Sequence, residues 1–162
     1  ISGTVLWLNN DLPLEGVTVQ LFLDGSLVDE LVTDFNGSYS FTDIPIGGTY
    51  RLECLYETPN NLNGMSVFDL VLISRHILDI QALPTPFHQI AADINNSASV
   101  TTVDLIKLRK IILGIDPPIG EQWVFLPKSY NFDNSSPNLS SIQLNSSMDN
   151  LDIYAIKKGD VD

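Results

Sequence analysis

Oxygen-bearing side chains recur at alternate positions in Asp93-Ile94-Asn95-Asn96-Ser97-Ala98-Ser99-Val100-Thr101-Thr102-Val103-Asp104. Counted from Asp93, they occupy loop positions 1, 3, 5, 7, 9 and 12. That spacing is the EF-type calcium loop, in which a tight turn directs alternate groups toward a central hard ion. Calcium takes six to eight oxygens at about 2.3–2.6 Å, and this stretch offers such oxygens without any sulfur or imidazole. Val100, at position 8, suits a residue that pairs with its counterpart in a twin loop. Asp104 closes the loop where an EF-hand has Glu. The competing reading is an Asn/Ser-rich turn that caps a helix and holds no metal.

A twin exists. Met65–Ile80 aligns without gaps on Val100–Ile115, an offset of 35 residues, with Asp, Leu, Ile and Leu in register at 69/104, 70/105, 77/112 and 78/113. Internal repeats of this kind mark a duplicated supersecondary unit. The first loop is incomplete: the offset puts Thr58, Asn60 and Leu62 at positions 1, 3 and 5, and a leucine side chain cannot coordinate. Only Ser66 and Asp69 keep ligand chemistry at their positions. At the other end stands Lys157-Lys158-Gly159-Asp160-Val161-Asp162. The expectation is a split second site, with Asp160 and Asp162 as its first half and Asn63, the carbonyl of Met65 or Gly64, Ser66 and Asp69 as its second. The alternative is a frayed acidic tail.

Elements must place these groups. Leu70, Ile73, Ile77 and Ile80 recur at helical spacing, as do Leu105, Leu108, Ile112 and Ile115, so helices are expected over 66–80 and 101–115. Leu83-Pro84-Thr85-Pro86 breaks the chain between them. Residues 1–57 read as five strands: Gly3–Leu8, Val17–Leu23, Leu27–Thr33, Ser38–Phe41 and Thr49–Tyr56, with turn signals at Asp24-Gly25 and Asn36-Gly37. A sandwich usually needs about seven strands. The remainder is expected either from residues 121–162, where 122–126, 141–144 and 151–156 look extended, or from a neighbouring molecule.

The series Gly3-x-Val5, Pro13-Leu14-x-Gly16-Val17-x-Val19, Thr33-Asp34-x-Asn36-Gly37-x-Tyr39-x-Phe41 and Gly48-x-Tyr50-x-Leu52 resembles carboxypeptidase-regulatory-like and Cna-B-like β-sandwiches over about 55 residues. That resemblance implies a stalk, spacer or adhesion module. Some Cna-B relatives carry a Lys–Asn isopeptide bond, but residues 1–57 contain no lysine to form one. Residues 93–113 resemble a dockerin, whose repeats read Asp-x-Asn-x-Asp-Gly-x-Val-Asn-x-x-Asp before a Leu-rich helix. This implies ligand roles for Asp93, Asn95, Ser97, the Ser99 carbonyl, Thr101 (through water) and Asp104. Ser97 and Ala98 depart from the pattern's Asp and Gly, which lowers the loop's charge and makes its turn costlier. The whole order is similar to repeat units of secreted surface proteins of Bacteroidetes-type bacteria.

The expected fold class is therefore α+β, mostly β: an Ig-like or prealbumin-like sandwich over 1–57, a dockerin-like two-helix calcium module over 58–119, and a C-terminal β segment over 120–162. The balance of 20 Asp+Glu against 8 Lys+Arg, net −12, disfavours nucleic acid and anionic membrane and suits cations. The single cysteine, Cys54, permits no internal disulfide and reads as a buried thiol. No apolar run reaches transmembrane length, and a chain opening on Ile1 without a signal-like segment reads as processed or excised. No enzyme is expected. His76 and His88 lie on either side of a proline-broken stretch, and no nucleophile set or phosphate loop stands out. Sequons stand at Asn36, Asn95, Asn134, Asn138 and Asn145.

Three functions follow as expectations. The first is an extracellular bacterial structural subunit that self-associates head to tail by strand donation, with calcium locking the junction. The second is an adaptor that binds a cohesin-like protein through helix residues such as Arg75, Lys107, Arg109 and Lys110. The third is an adhesin that stacks glycans on Trp7 or Trp123, though core packing is the plainer role for both rings.

Overall fold

A computed structural model describes residues 1–45, 47–57, 62–120, 122–133, 137–139, 141–144 and 150–162. Thr58 and Asn60, named above, and the sequons at Asn134 and Asn145 lie outside the described residues. The described chain is mostly β, with two sheets and three helices. It divides into two compact units: Ile1–Glu57 with Val124–Ala155, and Thr58–Trp123 with Ile156–Asp162. Residues 120–162 are thus shared between the two.

The first unit contains Ser2–Trp7 (β1), Thr18–Leu23 (β2), Ser26–Val32 (β3), Ser38–Ser40 (β4), Tyr50–Leu55 (β5) and Ile142–Leu144 (β7), together with Trp123–Pro127 (β6) from Val124 on and Ile153–Lys157 (β8) up to Ala155. In β2, sealed Val19 and Leu21 alternate with half-buried Thr18 and Gln20, the period-two pattern of a strand with one apolar face. Asp24 and Gly25 both take positive φ, the turn that matches strand twist in a two-residue hairpin. β3 returns as an exposed edge strand carrying Asp29 and Glu30, charges that discourage edge-to-edge pairing. At the next turn the Asp34 carboxylate accepts from the amides of Asn36 and Ser38, both at 2.9 Å. Gly37 (φ +67°) is required there: a Cβ would stand 2.5 Å from the Val5 carbonyl oxygen.

The sheets run β4-β1-β8-β6 and β3-β2-β5-β7. β1 pairs parallel with β8, Val5 opposite Ile153, and antiparallel with β4. β5 pairs antiparallel with both β2 and β7. Val5, Val17, Val19, Leu21, Leu52 and Ile153 are fully sealed and form the core. Of the two sources considered for the missing strands, the chain's own later residues supply them, since β7 and β8 take their places in cis.

The second unit holds Val67–Ile77 (α1), Pro86–Ala92 (α2) and Thr102–Ile112 (α3). α2 was not anticipated. Thr85, extended at φ −144°, is its N-cap, and Pro86 sits in the first turn, where a missing N–H costs nothing. The two expected helices are shorter than their repeat. Leu78 and Leu113 are their C-caps, and Asp79 and Gly114 then turn left-handed. Ile80 and Ile115 consequently lie past the helix ends and are 69% and 67% exposed, not on the buried face as expected. Leu70, Ile77, Leu105 and Ile112 are only half-buried. Ile73, Leu108 and Ile111 form the helical core, with Phe87, Ala91 and Ile94 also buried in this unit. Among the described residues no helix is long and apolar enough to cross a membrane.

Candidate cation-binding loops

Both repeat helices start the same way. The Ser66 hydroxyl accepts from the Phe68 amide at 3.0 Å, and the Asp69 carboxylate accepts from the Ser66 amide at 2.7 Å. At the equivalent positions Thr101 accepts from Val103 at 3.3 Å, and Asp104 accepts from Thr101 at 2.9 Å. Such reciprocal capping is worth about 1 kcal/mol per helix. Each carboxylate also has a second oxygen turned to its loop. Oδ1 of Asp104 accepts from the Asn95 amide at 3.2 Å, and Oδ1 of Asp69 accepts from the Val161 amide at 2.7 Å. Both aspartates are completely buried.

The contiguous loop folds around its first residue. Asp93 closes α2 as its C-cap. Its Oδ1 accepts from the Ser97 amide at 2.9 Å and its Oδ2 from the Ala98 amide at 2.8 Å. The Asn95 side-chain oxygen accepts from the same Ser97 amide at 3.0 Å. The Ser97 hydroxyl lies 3.5 Å from Asp93 Oδ1, 3.1 Å from the Ser99 carbonyl and 3.1 Å from the Ser99 hydroxyl. Asn96 and Ala98 take positive φ, so the turn is made without glycine and at a steric cost to Ala98. The structure thus brings together Asp93, Asn95, Ser97, Ser99, Thr101 and Asp104 by direct hydrogen bonds. Their side chains and the Ser99 carbonyl offer oxygens, the donor set that a hard divalent ion prefers, and backbone amides currently donate to several of them.

The other loop is assembled from two distant stretches of chain. Carboxylate oxygens of Asp69, Asp160 and Asp162 all lie within 4.8 Å of one another. Asp160 is 3% exposed and Asp162 faces solvent. Burial first, and then the charges of Asp69 and Asp162, push the Asp160 carboxyl up to about 7. Burial raises Asp69 as well, against the hydrogen bonds from Val161 and Ser66. Two like charges about 4 Å apart repel by roughly 4 kcal/mol at an effective dielectric of about 20. A divalent ion among such groups turns that repulsion into attraction. Gly64 (φ +86°) is what lets Asp160 in: a Cβ there would meet the Asp160 carboxylate at 2.3 Å.

The remaining residues expected in this site are placed otherwise. Asn63 is exposed, and its carbonyl accepts from the Lys157 ammonium. The Ser66 hydroxyl serves as the α1 cap. Met65 is half-buried, with its amide donating to the Leu62 carbonyl at 3.0 Å.

Two residues that sequence reasoning passed over are Lys157 and Lys158, each 1% exposed. The Lys158 ammonium donates to the carbonyls of Ile90 at 2.8 Å and Asp93 at 2.7 Å. Burial lowers the pKa of both lysines. Nothing in the sequence marks them, because a Lys-Lys pair beside an acidic segment reads as solvated charge. The histidines are scattered: His76 Nδ1 accepts from the Leu83 amide at 3.3 Å, and His88 Nδ1 lies 2.7 Å from the Thr85 hydroxyl. Cys54 is half-buried, and burial of its sulfur pushes the thiol up to about 12. Trp7 and Trp123 are half-buried, and the Lys157 ammonium lies 5.6 Å from the Trp123 ring centroid.

No family model and no curated protein matches the chain. A solved structure, the 5-hydroxyisourate hydrolase of Klebsiella pneumoniae, aligns at 34% identity over 33% of this chain and 53% of that one, with a TM-score of 0.31. At that score the likeness carries neither fold nor activity to this chain.

Proposed function

We propose that this chain is an extracellular, non-enzymatic structural module whose helical unit is stabilised by two calcium ions. Asp93, Asn95, Ser97, Thr101 and Asp104, with the Ser99 carbonyl, would hold one ion. Asp69, Asp160 and Asp162 would form the core of the other. The ions supply divalent charge and nothing catalytic. The observation that carries this reading is the convergence of Asp69, Asp160 and Asp162 within 4.8 Å, in a unit whose second loop presents an oxygen set at the equivalent helix start. Calcium titration by calorimetry on the full chain, stripped of metal beforehand, tests it. Two binding events per chain are expected, with a rise in the melting temperature of the helical signal. A flat titration refutes the reading.

A second reading, an adaptor for a cohesin-like partner, draws on a separate observation. Apolar residues are exposed at matched repeat positions: Phe68 with Val103, Val71 with Ile106, Leu78 with Leu113 and Ile80 with Ile115. Scattered exposed apolar residues are ordinary, but the same set recurring in both repeats, on each helix and just past its end, resembles a duplicated binding face. Co-elution of the chain with a cohesin, abolished by Val71→Asp together with Ile106→Asp, would favour the adaptor over the structural module.

A further inference from the structure

The last six residues touch both loops. The Lys157 ammonium donates to Asn63, next to Gly64 in the first loop. The Lys158 ammonium holds the last turn of α2 at Ile90 and the first residue of the second loop at Asp93. The Gly159 amide donates to the Ala91 carbonyl at 2.8 Å, and the Lys158 amide donates to the Gln122 carbonyl at 2.7 Å. Two residues further on, Val161 donates to Asp69, with Asp160 and Asp162 on either side of it. A buried ammonium costs several kcal/mol in lost hydration and persists only where fixed acceptors replace the water. Here the hydrogen-bond acceptors are main-chain carbonyls at the loop entrances, so the lysines fix backbone position, while their charges also act on loop carboxylates, Lys157 on Asp160 and Lys158 on Asp93 and Asp104.

The geometry points to Lys158 as a positioning residue that couples the two loops. An ion at Asp93–Asp104 fixes the Asp93 main chain, and the Asp93 carbonyl fixes Lys158. Through the short, multiply bonded run from Lys158 to Val161, Asp160 and Asp162 are then set against Asp69. Filling the contiguous loop thereby prepares the split one, and by linkage the reverse holds equally. This inference rests on the calcium reading above.

The test is a double-mutant cycle read by amide NMR during calcium titration of the full chain. The Ala98 amide reports the contiguous loop and the Val161 amide the split one. In the native background, Asp104→Asn is expected to raise the calcium midpoint at Val161 about tenfold, within the usual range of coupling between sites. In the Lys158→Met background the same substitution should shift it less than twofold. Should Lys158→Met fail to fold, Lys158→Gln replaces it: its amide ends one atom short of the ammonium that bonds both carbonyls, so the Asp93 tie is broken and the same expectation applies. An equal shift in both backgrounds, or no shift at Val161 in the native one, overturns the coupling while leaving calcium binding intact. Silence at both Ala98 and Val161 removes the calcium reading and the coupling together.

Discussion

The two units bury different things. Among the described residues of the first, the sealed side chains are apolar apart from Thr33 and Ser141. The second buries Asp69, Asp93, Asp104, Asp160, Lys157 and Lys158, so every buried charged side chain among the described residues lies there. Apolar burial is non-directional and requires no particular counter-ion. Buried charge is conditional: its stability depends on which counter-charge is present. The first unit should therefore behave as an ordinary hydrophobic core, and the second as a fold that is complete only in the right ionic setting.

The largest effect expected tests the first half of that contrast. Leu21→Ala, at a sealed position of β2, should cost about 2–5 kcal/mol by lost burial and cavity formation. The loss in denaturant melts should be the same in calcium and in chelator. A calcium-dependent loss would show that the units do not differ as described.

Chelation tests the second half. At calcium a hundredfold above the dissociation constant, one site contributes about 2.7 kcal/mol by mass action. Removing calcium should lower the melting temperature of the helical ellipticity at 222 nm, while the protection of Cys54 from alkylation stays as it was. If helix melting and Cys54 exposure move together under chelator, the contrast between the units fails.

How much of this was legible in the sequence follows the same division. The strands of residues 1–57 could be read because one buried face imposes a period of two, and Asp24-Gly25 and Asn36-Gly37 punctuate it. The contiguous loop could be read because all its oxygens lie within twelve residues. Asp160 and Asp162 could be linked to Asp69 because a half-pattern at one end matched a missing half elsewhere. α2 was hidden by reading Pro84 and Pro86 as a break, although Thr85-Pro86 is also an N-cap followed by a first-turn proline. Lys157 and Lys158 were illegible, since their acceptors are main-chain carbonyls and no residue type announces a carbonyl's position. Long-range pairing was illegible too: the parallel match of β1 with β8 joins the two ends of the described chain.

Within the helical unit, the two loops should separate by mutation. Asp160→Ala with Asp162→Ala removes two of the three gathered carboxylates and leaves Asp93–Asp104 untouched. Calorimetry should show one calcium event lost and one kept, the survivor weakened no more than about tenfold through coupling. Two undiminished events would return residues 160–162 to the status of an acidic tail.

The smallest effect concerns the thiol of the first unit. The folded protein pushes Cys54 up from 9.0 to about 12, so its neutral form is favoured. A raised folded value means this contribution to stability is complete below pH 9 and is lost as pH rises toward 12. At pH 8 the thiolate, which is the reacting species, is scarce in the folded state. Alkylation should therefore run at least about a hundredfold slower than in denaturant, with or without calcium. Raising the pH from 9 to 11 should speed it while the helical ellipticity holds. Rapid alkylation of the native protein at pH 8 would place water at Cys54 and argue against a dry, ion-indifferent core in the first unit.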